Sequence, residues 1–392
     1  VDKTQTQNDY WASFWMACEK GHIDIVKTLL NNEKVDINKV RPNGQTPFYV
    51  ACQNGRTEIV KLLLNDERIE IHNVDNYGQT PFYIACAYGH TEIVKLLLND
   101  QRIDINKADN DEETPFYIAC KKGHLQIVKL LLNDERVNDI NKANMNDWTP
   151  FYGACYDGKT EVVKYLLESE REIDINKKDN DGKTPFYAAC QEGYIDITKL
   201  LLSDQRLDKT QTENDYWASF WMACYDGNLE IVKLLLNDER VDLNETNKRN
   251  ESPFYIASKN GHIEIVKLLL NDNRVDINQA NKYSKTPFHV ACENGHIEIV
   301  KILLNDKRVD NNKTNNNDTT PFYIACQNGH IDTVKLLLND KQISIRKEIK
   351  RGKTALDIAK EENHSNIVEL IQEFDTGRFN SGVKVNYRYF KQ

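Results

Sequence analysis

The sequence predicts an all-α solenoid, a curved stack of helix-turn-helix units joined by hairpin loops. A Thr-Pro-Phe-Tyr phrase, or a close variant of it, recurs every 34 residues, with a spacing of 35 at two places. Two apolar segments with helical periodicity follow each phrase, and such a pair is too short to bury its own apolar face. The chain of 392 residues is therefore expected to grow by stacking of repeats rather than around one large core.

Each unit is predicted to contain two short helices. The hydroxyl of Thr46 can cap the first helix, and Pro47 suits its first turn. A glycine favours the end of that helix, and residues 57–64 form a second helix with apolar side chains around most of its circumference. Small residues such as Ala51 and Cys52 line the first helix and large ones line the second, so we expect the first helices on the concave side of the stack.

Eleven units are predicted over residues 1–374, and residues 375–392 form a tail that is either disordered or a short strand. The last unit has one polar face, as a C-terminal cap requires. Residues 1–18 are nearly identical to residues 207–224 in the middle of the array, so we expect further repeats upstream. The units at 12 and 218 have Ala-Ser in place of Thr-Pro, and a missing cap is expected to weaken the joint near 218. The units begin near residues 12, 46, 80, 114, 149, 184, 218, 252, 286, 320 and 354.

The repeated phrase resembles a known family. The Thr-Pro-x-x-x-Ala phrase, the Gly89-His90 pair and the Ile-Val-Lys-Leu-Leu-Leu helix are similar to the ankyrin repeat. Tyrosine or tryptophan replaces the family's histidine after Thr-Pro-x, except at His289. The family's turn glycine is absent at positions such as Glu112 and Asn250, so we expect the hairpin tips to be non-uniform.

The resemblance implies a protein that binds other proteins, with contacts from the hairpin tips and the exposed side of the first helices. A scaffold or adaptor is favoured; the alternatives are an intracellular ankyrin segment of a larger channel or kinase, and a pathogen effector that binds host proteins. No phosphate loop, metalloprotease motif or nucleophile elbow is present, so we expect no enzymatic activity, small-molecule substrate or cofactor. The net charge of −9 argues against a nucleic-acid partner. The sequence has no run of 18 apolar residues, so we expect no membrane insertion.

The nine cysteines occupy one repeat position, where adjacent helices lie roughly 8–10 Å apart. That separation is too large for a disulfide, and no place gathers four zinc ligands. We therefore predict buried cysteines with free thiols, no metal site, and a reducing, cytoplasmic location. The histidines of the Gly-His pairs are expected, from the resemblance, to bond loop backbone.

The candidate partner-binding residues are aromatic and basic. Trp217 stands at the base of a predicted hairpin, at a position that is polar in most other units, so we expect it to be exposed. Trp221 either packs inward as a larger substitute for tyrosine or joins Trp148 and Trp217 at the centre of a binding hot spot. Basic tips in the C-terminal third would orient a charged partner, unless they are simply solvated. The predicted site comprises Trp148, Tyr187, Tyr216, Trp217, Trp221, Tyr225, Lys248, Arg249, Lys282 and Lys285.

Overall fold

The computed structural model describes residues 3–207, 212–238, 241–349 and 352–377. Over these residues the chain forms 22 α-helices and no strand, which confirms the predicted all-α class. The strand considered for residues 383–389 lies outside this range. The chain divides into two compact units, Val1–Lys209 and Thr210–Gln392.

The first unit is a stack of repeats, each made of a first and a second helix. Successive first helices pack on one another, and successive second helices do the same. The helices are α1 (Lys3–Lys20), α2 (Ile23–Leu30), α3 (Pro47–Gln53), α4 (Thr57–Leu64), α5 (Pro81–Ala87), α6 (Thr91–Leu98), α7 (Pro115–Lys122), α8 (Leu125–Leu132), α9 (Pro150–Tyr156), α10 (Thr160–Leu167), α11 (Pro185–Gln191) and α12 (Ile195–Ser203).

The second unit repeats this arrangement, with the odd-numbered first helices in one layer and the even-numbered second helices in the other. The helices are α13 (Thr212–Asp226), α14 (Leu229–Leu236), α15 (Pro253–Asn260), α16 (Ile263–Leu270), α17 (Pro287–Glu293), α18 (Ile297–Leu304), α19 (Pro321–Gln327), α20 (Ile331–Leu338), α21 (Ala355–Glu361) and α22 (Ser365–Asp375).

Most first helices begin at the predicted cap. The hydroxyl of Thr46 accepts a hydrogen bond of 3.0 Å from the amide of Tyr49, and Pro47 occupies the first turn. The helix then buries Phe48 and Cys52 in the core between the two layers. The same cap recurs at Thr80, Thr114, Thr149, Thr184, Ser252, Thr286, Thr320 and Thr354.

Two first helices depart from this pattern. Helices α1 and α13 are 18 and 15 residues long and run through the positions where Ala-Ser replaces Thr-Pro. Proline cannot follow a preceding helical turn without a steric clash, whereas Ala-Ser lets the helix extend toward its N-terminus. The prediction that Trp217 lies at the base of a hairpin is therefore wrong, and no helix cap is missing at Ala218.

Where a hairpin precedes a capped first helix, its tip has the same backbone conformation, so the expected non-uniformity is wrong for these tips. The φ angle is 77° at Gly78, 62° at Glu112 and 56° at Asn250, all in the left-handed region. At each tip this residue's amide bonds the carbonyl three residues earlier, at 3.0 Å for Gly78 and 3.2 Å for Glu112. The loop thus imposes the turn on residues other than glycine, at a cost of about 1 kcal/mol.

Six arginines of the Asp-x-Arg segments that follow the second helices join a repeat to the one before. The guanidinium of Arg102 bonds the Asp100 carboxylate at 2.6 Å and the carbonyl of Leu64, at the end of α4, at 3.1 Å. A cation is favourable at a helix C-terminus because it opposes the helix dipole. The carbonyl contact recurs at Arg68, Arg136, Arg206, Arg274 and Arg308.

The histidines of five Gly-His pairs bond backbone, as the family resemblance implies. Nε2 of His90 lies 2.8 Å from the carbonyl oxygen of Gln53 in the preceding repeat. A Cβ atom added to Gly55 would lie only 2.8 Å from the His90 ring, so glycine is required for this close approach. All nine cysteines are buried and none forms a disulfide, which confirms their predicted burial, and burial raises the pKa of Cys18 to about 12. Among the described residues no group of three potential metal ligands is found.

Candidate partner-binding site

The residue before each helix cap has a fixed backbone and a variable side chain. In the loop before α9, the Asn144 side-chain oxygen accepts a hydrogen bond of 3.1 Å from the amide of Trp148. In the loop before α7, the Asp109 carboxylate accepts one of 2.9 Å from the amide of Glu113. Asparagine and aspartate favour such turns. The backbone is therefore held in place whichever side chain precedes the cap.

The tyrosine inside five first helices reaches the loop of the next repeat. The Tyr49 hydroxyl donates to the carboxylate of Asp75 at 2.9 Å, and the Tyr152 hydroxyl donates to that of Asp179 at 2.8 Å. Burial, together with these carboxylates, raises the pKa of both tyrosines well above its usual value. The tyrosine that replaces the family's histidine is thus a structural residue that links neighbouring repeats.

His289 performs the same linking role with an imidazole. Its Nδ1 accepts a hydrogen bond from the amide of Thr286 at 3.2 Å, and its Nε2 lies 3.3 Å from the carbonyl oxygen of Thr319. This arrangement uses the neutral ring, with the proton on Nε2. Burial lowers the pKa of His289 to about 4.

In five repeats the residue before the cap also contacts the residue eight positions further on, at the end of the first helix. We call these two residues the face pair of the repeat. Pairs of opposite charge neutralise themselves and add no net charge to the surface. Four face pairs are ion pairs, with nitrogen–oxygen distances of 2.9 Å in Glu113–Lys121, 3.1 Å in Glu251–Lys259, 2.7 Å in Lys285–Glu293 and 2.7 Å in Lys353–Glu361.

The face pair of α9 is aromatic instead. The ring centroids of Trp148 and Tyr156 are 4.6 Å apart, with 43° between the ring planes. Trp148 also lies 4.9 Å from the ring of Tyr152. Trp148 and Tyr156 are both half-buried, so each keeps part of its surface open to solvent. An aromatic pair of this kind contributes about 0.5–1.5 kcal/mol beyond the burial of its area.

A cavity of about 330 Å³ lies beside this aromatic pair. Ala188 of α11 lines the cavity at the helix position where α5 and α7 carry the buried isoleucines Ile84 and Ile118. The small side chain leaves room between the two repeats. The other lining residues are Trp148, Tyr152 and Tyr156 from one repeat, with Asn146, and Asp179, Asn180, Asp181, Lys183 and Gln191 from the next.

A second aromatic group lies on α13. The indole nitrogen of Trp221 donates to the carbonyl oxygen of Glu251 at 2.9 Å, so the indole replaces the linking tyrosine hydroxyl. The Trp221 ring stacks on Tyr225 with centroids 5.5 Å apart, and Tyr225 is 45% exposed. Trp221 is half-buried: its nitrogen faces inward, and part of its ring remains accessible. Its role in a binding hot spot stays a prediction.

Three predicted site residues are less accessible than expected. Tyr187 is 7% exposed and Tyr216 is 0% exposed, so neither can act as an exposed partner contact. Tyr187 occupies the inward-facing position of the linking tyrosines. Trp217 is half-buried rather than exposed because it lies within α13, and its indole nitrogen is buried with no hydrogen-bond partner among the described residues.

The basic residues divide into two groups. Lys248, Arg249 and Lys282 are exposed at hairpin tips, where they can meet a charged partner. Lys285 instead bonds both carboxylate oxygens of Glu293 at 2.7 Å, so its charge is already neutralised. The predicted partner-binding role of Lys285 stays a prediction, for a cation that is already paired with Glu293.

The predicted aromatic residues belong to both compact units. Trp148 and Tyr187 lie in the first, whereas Tyr216, Trp217, Trp221 and Tyr225 lie in the second. That they form one partner site stays a prediction. Sequence reasoning missed Tyr156. Its signal was available, because the residues eight apart are glutamate with lysine in four repeats and tryptophan with tyrosine at 148 and 156.

The comparisons with known proteins agree with this repeat architecture. The family model for ankyrin repeats (3 copies) matches residues 14–109, 67–142, 100–179, 136–213, 220–315 and 307–380. No curated protein gives a significant match. Within the described part of the chain, no helix has both the length and the apolar character needed to cross a membrane. Because the matched segments cover most of the sequence, the chain belongs to the ankyrin-repeat family.

Proposed function

We propose that this protein is a non-enzymatic adaptor that binds a protein partner on the concave side of its repeats, centred on the Trp148–Tyr156 face pair. Ankyrin repeats are generally protein–protein interaction modules. The observation that carries the proposal is the exchange of a self-neutralising ion pair for two partly exposed aromatic rings beside a cavity. The nine buried cysteines, none of which forms a disulfide, support a reducing location such as the cytoplasm.

The energetics favour the aromatic pair over its charged counterparts as a contact. A surface ion pair contributes only about 0–1 kcal/mol, and a partner that covers it must remove both charges from water. An aromatic side chain has little desolvation cost and a large contact area, and it loses few rotamers on binding. Residues that dominate interfaces are commonly tryptophan, tyrosine and arginine seated at pockets.

The test is a comparative affinity purification from a lysate of the source cells. The variant Trp148→Glu with Tyr156→Lys gives α9 the face pair found on α7. We expect the wild-type protein to capture a partner that this variant loses, because truncation or replacement of an anchor residue commonly costs about 2 kcal/mol or more.

A matched control changes a surface of similar polarity elsewhere. Glu92 and Lys95 form an exposed ion pair of 2.7 Å on the second helix α6, away from any face pair. The variant Glu92→Ala with Lys95→Ala should capture the partner as the wild-type protein does. Equal capture by all three proteins, with circular dichroism showing them folded, would contradict the proposed site.

A further inference from the structure

The walls of the cavity beside Trp148 differ in chemistry. One part of the lining consists of Trp148, Tyr152 and Tyr156 from one repeat, and another part consists of residues of the next repeat that include Asp179 and Asp181. Aromatic ring faces carry negative electrostatic potential and attract cations. Both parts therefore favour the same kind of ligand, a positively charged group with an apolar stem.

The two carboxylates are not equally available. Asp179 accepts the Tyr152 hydroxyl at 2.8 Å and the amides of Asp181 and Lys183 at 2.9 and 2.8 Å. Asp181 is exposed, and no cation among the described residues pairs with its carboxylate. Lys183, the lining cation, lies 5.4 Å from the ring of Tyr187. Asp181 is thus the carboxylate that a bound cation can reach.

Two tryptophans of α1 lie beneath cations. The ammonium of Lys39 lies 4.8 Å from the ring of Trp11, which occupies the position of Trp148 in its own repeat, whereas Trp15 occupies that of Tyr152. The guanidinium of Arg41 lies 3.2 Å from the ring centroid of Trp15, and Trp15 is only 2% exposed. Over the described part of the chain, no such cation covers Trp148. A planar guanidinium stacks on an indole and at the same time donates paired hydrogen bonds to a carboxylate, which an ammonium group cannot match.

We propose that the Trp148 cavity binds an arginine side chain of the protein partner, stacked on Trp148 and paired with Asp181. The inference rests on the proposed function, of which it specifies the contact chemistry. The cavity volume of about 330 Å³ is near the lower limit for ligand pockets, which suits one long side chain rather than a larger ligand.

The test uses small probes and the indole N–H signals of the ¹⁵N-labelled full chain. Trp148→Phe assigns the Trp148 signal. Titration with N-acetyl-arginine methylamide should shift this signal with saturation. The corresponding citrulline amide, which is planar but neutral, should bind roughly 3- to 30-fold more weakly, as expected for loss of a cation–π contact. The lysine amide should also bind more weakly than the arginine amide.

The variant Asp181→Asn separates charge pairing from stacking. It should weaken arginine binding about threefold or more and leave citrulline binding unchanged. Equal binding of arginine and citrulline, equal binding of arginine and lysine, or no shift of the Trp148 signal would overturn the inference. If capture of the partner still requires Trp148 and Tyr156 in that case, the proposed function stands while its arginine contact fails.

Discussion

The repeats that begin at Thr114 and Thr149 are neighbours with the same helix caps and loop hydrogen bonds, but their face pairs differ in chemistry. Each has a threonine cap, a buried Phe-Tyr-x-Ala-Cys helix and an Asp or Asn side chain that fixes the loop. On the face, the first repeat pairs Glu113 with Lys121, and the second pairs Trp148 with Tyr156. These two repeats show that hydrogen bonds from the loop to the backbone fix the position of the residue before the cap. The same bonds do not restrict which residue type occupies that position.

If the repeats share one backbone arrangement, the residue at the linking position can differ between them. The repeat with His289, where a histidine replaces the tyrosine, tests this most strongly. The pKa of buried His289 is about 4, whereas an unfolded histidine titrates near 6.5. Because the unfolded state binds the proton first as pH falls, the contribution of His289 to the unfolding free energy is fully present above about pH 6.5 and is lost as pH falls toward 4. The unfolding free energy should fall by about 3 kcal/mol over this range.

The control for His289 is tyrosine, which occupies the equivalent position in most other repeats. His289→Tyr should flatten the pH dependence of the unfolding free energy between pH 6.5 and 4, measured by urea denaturation. Identical profiles for variant and wild type would show that His289 does not link its repeat to the next through a neutral ring.

Asn144 should be essential to the frame of the aromatic repeat. Asn144→Ala removes the acceptor for the Trp148 amide and the donor to the Tyr117 hydroxyl, 3.1 Å away. We expect a loss of about 2 kcal/mol in unfolding free energy because buried polar groups lose their partners. Asn144→Asp, which copies Asp109, should be milder. A decrease in unfolding free energy below about 0.5 kcal/mol for Asn144→Ala would show that Asn144 does not hold its loop as Asp109 holds the preceding one.

Gly153 should be replaceable by alanine, unlike the glycines that face histidines. Its added Cβ would lie 3.5 Å from Lys121 and Tyr117, an ordinary contact, so Gly153→Ala should stabilise the protein by up to about 1 kcal/mol through helix propensity. Gly55→Ala, with φ of 67° and a contact of 2.8 Å to His90, should destabilise it. Thermal unfolding of both variants gives the signs, and destabilisation by Gly153→Ala would contradict the packing described for α9.

The smallest effect concerns the hairpin tips. Glu112→Gly should stabilise the protein by about 0.5 kcal/mol, because relief of left-handed strain slightly exceeds the added entropy of the unfolded chain. Gly182→Ala provides the converse: its φ is 78° and no atom lies within 4 Å of the added Cβ, so only backbone strain is introduced. If both variants were neutral in urea denaturation, the tips would be more adaptable than their shared conformation indicates.

The frame was predictable from sequence because it recurs. Thr-Pro fixes the helix starts, and the apolar positions fix the core. The accessible surface of the first helices was not predictable, because the exposure of a residue depends on the element that contains it. The sequence placed Trp217 in a loop, whereas it lies within α13. Glu112 and Asn250 lack glycine's conformational freedom, yet neighbouring loops hold them in the same turn. Contacts between residues eight apart, as in Trp148 and Tyr156, require both the loop and the helix to be placed.

The most direct measurement of the central claim is the affinity of the captured partner for the wild-type chain and for Trp148→Glu with Tyr156→Lys. This variant exchanges the face of one repeat for that of its neighbour and leaves the frame unchanged. We expect the Kd to rise about 30-fold or more, whereas the unfolding free energy should fall by only about 1–2 kcal/mol, because an ion pair partly replaces the aromatic contact. An affinity within twofold of the wild type, for a variant that circular dichroism shows to be folded, would contradict the assignment of the partner site to this face pair.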